Sequence, residues 1–452
     1  MPISLVYLII MLAVIIIWSA LIKRPVYEAV FLALIVLFTV SMSWGHFFEY
    51  SLNGMNSSLI FSMIVFVAMS QFLKATGILD DCINCILALI GRIPGGAGYV
   101  SVAASVFMGA FSGSGPGNVM AVGTITIPAM KKSGFPAELA ANVQASSSCL
   151  GNMIPPSSNI LLALGCFLAL YPNSNITTGQ FWIIMWGLSL WFILARLLMV
   201  FIYCKIYKIK GMKKEELPNL KETFKNGWKG LLLPVIILIP FILDFAFGSN
   251  FFTNRLGATG AKYFSNSILL FTAGLASIYA LFVSKNKEVR KITNIADIFK
   301  KAIKGLVPTV ATVIFGYIIG ALFSGLGVAT ELESFINSLN MNKYLMALFI
   351  SFLTCVLGMV IPGSSLVAMF GTVFVTVMAA SGINPLIAAA MLPCICGAMG
   401  NITPPFALCV YASMGIAESD YGKTMRMDIV WVLAQLAMQF LVLVGFLPVF
   451  GI

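Results

Sequence analysis

The sequence predicts an all-α polytopic membrane protein built as an inverted repeat, with two re-entrant hairpins and two broken helices. Three observations carry that reading. Hydrophobic residues make up 60% of the 452-residue chain and charged residues only 10%, outside the range of soluble globular proteins. Glycine, proline, serine and asparagine interrupt the apolar runs at Ser112-Gly113-Ser114-Gly115-Pro116-Gly117-Asn118 and at Gly151-Asn152-Met153-Ile154-Pro155-Pro156. The second half then repeats the first: Gly123-Thr124, Ser133-Gly134 and Ala140-Ala141 return as Gly371-Thr372, Ser381-Gly382 and Ala388-Ala389, all 248 positions later. Downstream the offset grows by one, and the second interruption returns as Gly400-Asn401-Ile402-Thr403-Pro404-Pro405.

The interruptions matter because hydrocarbon offers no hydrogen bonds. An unpaired backbone N–H or C=O costs several kcal/mol there, so irregular chain at bilayer depth persists only where protein buries it or a watery cavity reaches it. Interrupted apolar segments at corresponding places in two halves point to a transporter's binding site.

A span needs about twenty apolar residues, so roughly ten to twelve fit the chain. The run 3–22 ends at Lys23-Arg24-Pro25 with neither a basic leader nor a small-residue cleavage site, and reads as a retained span. Runs 26–44 and 57–77 follow, then an amphipathic interfacial stretch, 78–92. Segments 95–111 and 119–130 are too short and too tightly joined to cross separately, and read as a hairpin with its tip at 112–118. Pro155-Pro156 must break the long run 135–170, because proline removes a helical donor and clashes with the preceding turn. Beyond the span 181–207 lies a basic loop, 208–229, then spans 231–248 and 267–284 and a second basic loop, 285–304. The run 306–324 crosses, 344–361 and 366–380 form the second hairpin around 362–365, 385–415 is the second broken helix, and 429–450 is the last span.

If Lys23-Arg24 is cytoplasmic, parity puts Lys74, Lys131-Lys132, both basic loops, Lys423 and Arg426 on the same side. His46, Asn173, Asn250, Glu331 and both termini then lie outside, as the excess of basic residues in cytoplasmic loops requires. The first hairpin enters from the cytoplasm and the second from the opposite face, which makes the repeat inverted and lets one site face either side in turn. The net charge of +11 therefore reads as orientation in the membrane and not as nucleic-acid binding.

The nine cysteines lie mostly in apolar runs, which argues against a disulfide framework. Cys82-Ile83-Asn84-Cys85 has CxxC spacing but no second pair, and reads as buried small residues. Arg196 and Asp244 stand in apolar context; Arg196 reads as a structural salt bridge or carbonyl cap and Asp244 as interfacial. No facing pair of acidic residues or histidines supports a hydrolase, so the chain is not expected to be an enzyme.

Each interruption exposes helix ends, positive at an N-terminus and negative at a C-terminus. Carbonyls and hydroxyls there suit a desolvated Na+, whereas N-termini and asparagine amides suit a carboxylate. We assign cation ligation to Ser112, Gly113, Ser114, Gly151 and Pro155 in the first half and to Ser364, Gly400, Thr403 and Pro404 in the second. Substrate contacts fall to Asn118, Asn152, Ser157, Ser365 and Asn401. The bland reading is that small residues simply let helices approach; two matched clusters with prolines favour function. No Lys or Arg lies within the four interruptions. No cofactor is expected beyond Na+ as coupling ion.

From about residue 57 onward the chain resembles the large membrane subunit of the tripartite ATP-independent periplasmic (TRAP) transporters, within the ion transporter superfamily. The resemblance rests on Gly95-Gly96-Ala97-Gly98-Tyr99, Phe111-Ser112-Gly113-Ser114, Ile127-Pro128-Ala129-Met130, Ile154-Pro155-Pro156-Ser157 and Gly400-Asn401-Ile402-Thr403-Pro404-Pro405. It implies Na+-driven uptake of a small organic anion such as a dicarboxylate or sugar acid across a bacterial inner membrane, by an elevator motion. It also implies two partners, a small membrane subunit and an extracytoplasmic substrate-binding protein. On that pattern residues 95–170 and 343–416 form the transport domain, while 1–94 and 171–342 form the scaffold and 417–452 the last span. The chain departs from the family where Asn118 and Pro362 stand at positions usually acidic, and at 252–261. The alternative is an autonomous ion-coupled carrier or exchanger of the same superfamily, working without a binding protein.

Overall fold

The computed structural model describes residues 2–452 apart from 56–57, 113, 175, 248–250, 339–340, 360, 362 and 405–406. Its described residues form helices joined by short turns, with no strand. The N-terminal part holds α1 (Ile3–Ile16), which continues as a π-turn to Leu21, then α2 (Val26–Val40), α3 (Phe47–Met55), α4 (Ser58–Thr76) and α5 (Ile78–Ile90). The first repeated stretch comprises α6 (Gly96–Ser112), α7 (Gly115–Asn118), α8 (Thr124–Lys132), α9 (Ala137–Cys149) and α10 (Ser158–Leu170). The centre holds α11 (Thr178–Ile206), α12 (Leu220–Gly227), α13 (Leu233–Phe247), α14 (Thr253–Val283), α15 (Ile292–Gly325) and α16 (Val328–Ser338). The second repeated stretch comprises α17 (Lys343–Gly358), α18 (Gly363–Ala380), α19 (Pro385–Leu392), a π-segment Pro393–Ala398, α20 (Met399–Ile402) and α21 (Leu408–Ala417), and α22 (Tyr421–Leu443) ends the helical part.

Both long runs break where the prolines stand. After α9 a 3-10 turn, Leu150–Asn152, leads into the non-helical stretch 153–157 with a cis Pro155-Pro156 bond, and helix resumes at Ser158. In the second half the helix stops at Ile402 and resumes at Leu408.

Three expectations need correction. The first hairpin turns between Ser112 and Gly115, not across 112–118, because Ser114 caps a short helix that carries Pro116 in its first turn, where proline's missing N–H costs nothing. In the second hairpin Ser364 and Ser365 belong to the first turn of α18 and not to a loop. The supposed loop segments 253–266 and 292–304 are helical: α14 starts at Thr253 and kinks at Gly257, whose φ of 71° no β-carbon-bearing residue adopts cheaply, and α15 starts at Ile292.

Helix faces follow burial. On α11, Trp186, Leu190, Leu194, Leu198 and Phe201 point outward, while Met185, Leu188, Phe192, Arg196 and Val200 are buried. A row of large apolar side chains turned away from the protein is what a bilayer solvates. Four helices among the described residues are long and apolar enough to cross a membrane unaided, Thr178–Ile206, Gly363–Ala380, Pro385–Ile402 and Tyr421–Leu443. The two repeated stretches interlock, α9 packing on α21 and α10 on α18, and α4 lies against α6, α10, α14 and α15.

The CxxC pair is packing. Cys82 and Cys85 are buried on α5, and a Cβ placed on Gly230 or Gly227 would fall 2.7 Å and 2.8 Å from their respective sulfurs. The thiols thus fill the space over two glycines of the basic segment, as small apolar groups do.

Candidate functional site

The two interruptions and both hairpin tips converge on the second broken helix. Asn152, in the first break, donates through Nδ2 to the carbonyl of Gly397 at 3.0 Å, and Asn401, in the second, donates to the same oxygen at 2.8 Å. Asn159 Nδ2 donates in turn to Asn152 Oδ1 at 3.0 Å, which fixes the orientation of the Asn152 amide. That carbonyl lies in the π-segment 393–398, a turn that is frequent at functional positions.

Glycine makes the approach possible. A Cβ on Gly363, at the start of α18, would lie 2.4 Å from Gly397 Cα, and one on Gly115, at the start of α7, would lie 3.0 Å from Asn401 Nδ2 and 2.6 Å from Cys409 Sγ. Behind the tips, Gly109 faces Gly151 at 2.2 Å on the same measure, and Gly358 faces Gly400 at 2.8 Å.

The remaining predicted positions divide. Asn118 is buried, and its amide donates to the Ser105 and Ser148 carbonyls at 2.9 Å and 3.2 Å; its Oδ1 has no hydrogen-bond partner among the described residues. Ser146 and Ser147 Oγ, in the last turn of α9, are buried in the same condition. Ser114 is exposed, and its hydroxyl accepts from Gly117 N–H at 3.3 Å. Ser157 is buried and caps α10, accepting from Asn159 N–H at 3.3 Å. Thr403 is buried, its hydroxyl donating back to Met399 O at 2.8 Å. Ser365 and Pro155 are buried, while Ser364 and Pro404 are half-buried. Gly113 and Pro362 lie outside the described residues, as does Pro405, and nothing is described of the side chains of Ser112 and Asp244.

Sequence reasoning missed three features. Lys74 of α4 reaches the first hairpin tip: its Nζ stands 3.6 Å from where a Gly117 Cβ would be, placing one cation beside an interruption that carries none of its own. Gln144, fully buried on α9, accepts from Ser101 at 2.8 Å and Thr126 at 2.5 Å and donates to Ser105 at 3.1 Å and Ser148 at 2.8 Å, tying α6 and α8 to α9. Among the described residues Arg196 makes neither a salt bridge nor a backbone-carbonyl cap; its guanidinium donates to Gln435 Oε1 and lies 5.8 Å over the Phe192 ring. Gln435 continues to Cys394 Sγ at 3.0 Å, joining α11 and α22 to the π-segment. Only the polar residues at 3.6-residue spacing on α22, Thr424, Asp428, Gln435 and Gln439, could have flagged this seam, and all four are buried.

The comparisons agree with this architecture. The family model described as the tripartite ATP-independent periplasmic transporter, DctM component, matches residues 8–450, so the likeness reaches the N-terminal spans as well. The chain is 23% identical over 387 residues to the C4-dicarboxylate TRAP transporter large permease protein DctM of Pseudomonas aeruginosa, covering 85% of this chain and 83% of that one. It is 24% identical over 408 residues to the 2,3-diketo-L-gulonate TRAP transporter large permease protein YiaN of Escherichia coli, covering 87% and 88%. Among solved structures, the Alcanivorax borkumensis YdaH transporter superimposes with a TM-score of 0.61 at 16% identity, over 92% of this chain and 88% of that one, a likeness of fold.

Proposed function

Because the chain belongs to the DctM component family of tripartite ATP-independent periplasmic transporters, we propose that it is a large permease that imports a small organic anion with Na+ as the coupling ion. The observation that carries this reading is the Gly397 carbonyl shared by Asn152 and Asn401, which couples the two interruptions through one atom.

The cation sites lie at the paired breaks. In the first, Ser112, Gly113, Ser114, Gly151 and Pro155 are the proposed ligands. Buried acceptor oxygens without a hydrogen-bond partner among the described residues, Asn118 Oδ1 with the Ser146 and Ser147 hydroxyls and Asn159 Oδ1, favour a desolvated cation over a carboxylate nearby. In the second, Ser364, Gly400, Thr403 and Pro404 are the corresponding ligands. Between them, Asn152, Ser365 and Asn401 face the anion, with Lys74 as its countercharge. Moving a dianion into a cell at about 100 mV, inside negative, costs about 4.6 kcal/mol at roughly 2.3 per charge, so at least two cations must accompany it. Two sites meet that requirement.

The repeat is inverted, with both termini outside the cytoplasmic membrane of a bacterium, and residues 95–170 and 343–416 move together as an elevator against the rest. Packing of α9 on α21 and of α10 on α18 supports one moving body. Relatives named for C4-dicarboxylate and for 2,3-diketo-L-gulonate support a dicarboxylate or sugar acid as the solute. A separate small membrane subunit and an extracytoplasmic binding protein complete the system.

Uptake by the purified chain in proteoliposomes, over a panel of dicarboxylates and sugar acids, tests this. Transport is expected only with a Na+ gradient and both partners added. Uptake by the chain alone would replace the tripartite reading with an autonomous carrier.

A further inference from the structure

A cavity of about 520 Å³ opens where the N-termini of α9 and α22 meet the C-terminus of α11, lined by Pro136, Glu138, Tyr203, Tyr207, Lys423 and Arg426. Two helix N-termini add partial positive charge to two basic side chains, offset in part by the α11 C-terminus and by Asp420, which caps α22 by accepting from Lys423 N–H. Neither Lys423 nor Arg426 has a carboxylate oxygen within salt-bridge distance among the described residues, although Glu138 stands on the same wall. Tyr203 is held in place by stacking on Trp431 at 5.9 Å and by Tyr207 at 6.3 Å.

The molecule contains its own control. Asn384, the N-cap of α19, occupies in the second half the place of Pro136, the N-cap of α9, 248 positions on, and it too borders a cavity, of about 410 Å³, with Tyr171, Asn173, Ser174 and Pro385. No charged side chain among the described residues lines that one. The same fold position is therefore basic at the end read as cytoplasmic and neutral at the other, so the basic pair goes with the side of the membrane and not with the helix packing.

We propose that the Lys423–Arg426 cavity binds the phosphate of an anionic membrane phospholipid. The source is a lipid because apolar rows leave the cavity along both helices: Leu198, Ile202 and Ile206 on α11, and Ile429, Val430 and Leu433 on α22, all exposed. Those rows accept acyl chains while the two cations hold the headgroup and the tyrosines lie at its level, as basic pockets between spanning helices and interfacial aromatics do. The site is independent of the solute transported.

The test is lipid retention by the full-length chain, taken from mixed phosphatidylcholine and phosphatidylglycerol bilayers and read by native mass spectrometry. Wild type is expected to keep phosphatidylglycerol in preference, and Lys423→Gln with Arg426→Gln to lose that preference by roughly fivefold for each charge removed. The two single variants and melting in pure phosphatidylcholine separate a lost site from a lost fold. Equal retention of phosphatidylglycerol by wild type and double variant would overturn the proposal. So would displacement of the lipid by soluble glycerol phosphate at matched concentration, which would make the site one for a free phosphate ester.

Discussion

The backbones of Gly109 and Gly151 meet so closely that a Cβ on either would fall within 2.4 Å of the other's Cα. Gly358 and Gly400 stand in the same relation 249 positions later, where the corresponding distance from a Gly358 Cβ is 2.8 Å. In each half a hairpin arm thus presses against a helix break with no side chain between.

Gly109→Ala should therefore be severe, since the obstacle is backbone and cannot rotate away. Overpacking of this kind costs about 1–3 kcal/mol. The melting temperature of the purified protein is expected to fall for Gly109→Ala and, by less, for Gly358→Ala; an unchanged value for either would mean the break can shift without loss.

Asn152→Ala removes a donor to Gly397 O and the acceptor of Asn159, leaving buried polar atoms unsatisfied at about 1–3 kcal/mol. The Na+ concentration for half-maximal uptake should rise in this variant and in Asn401→Ala. Because both act on one carbonyl, the double variant should fall short of the sum of the two.

Ser114→Ala and Ser364→Ala should each weaken the Na+ dependence of uptake while leaving membrane insertion intact. If both kept the wild-type ion response, the hydroxyls would have no part in the cation sites.

The contrast between these serines and Lys74 illustrates what the sequence could disclose. Both interruptions, their prolines and their repetition were legible because glycine and proline inside apolar runs have one physical meaning, a broken helix. The helical turn that holds Ser364 and Ser365 was not, since a Gly-Ser-Ser run reads locally as loop and tertiary packing on Gly397 overrides that preference. Nor could spacing reveal Lys74, or that the polar face of α22 meets Arg196, because each depends on which distant helices become neighbours.

Lys74→Gln should raise the KM for a dianionic solute by about tenfold, the weight of one charge-assisted hydrogen bond, with kcat little changed. Lys74→Arg should recover part of the loss. A KM unaffected by either substitution would make Lys74 an interfacial anchor only.

Glu331 gives a pH dependence away from the transport site. Its carboxylate accepts from the Ser4 hydroxyl and from the Ser4 and Ile3 backbone N–H groups, the latter at 3.0 Å and 2.9 Å, and so caps α1. Hydrogen bonding to the Ser4 hydroxyl, reinforced by the two backbone donors, holds its pKa below the ordinary 4.5. The folded state then gains stability above pH 4.5 and loses it as pH falls through the lower folded value. Melting of wild type should decline in that acid window by more than melting of Glu331→Gln, and parallel curves would exclude the cap.

The most direct measurement is solute flux in proteoliposomes containing the complete system, at fixed Na+ gradients and stepped membrane potential. Coupling through two cation sites predicts that uptake of a dianion requires Na+, with at least two ions per solute, and is not slowed by an inside-negative potential. Uptake independent of Na+, or opposed by that potential as a bare dianion would be, would contradict it.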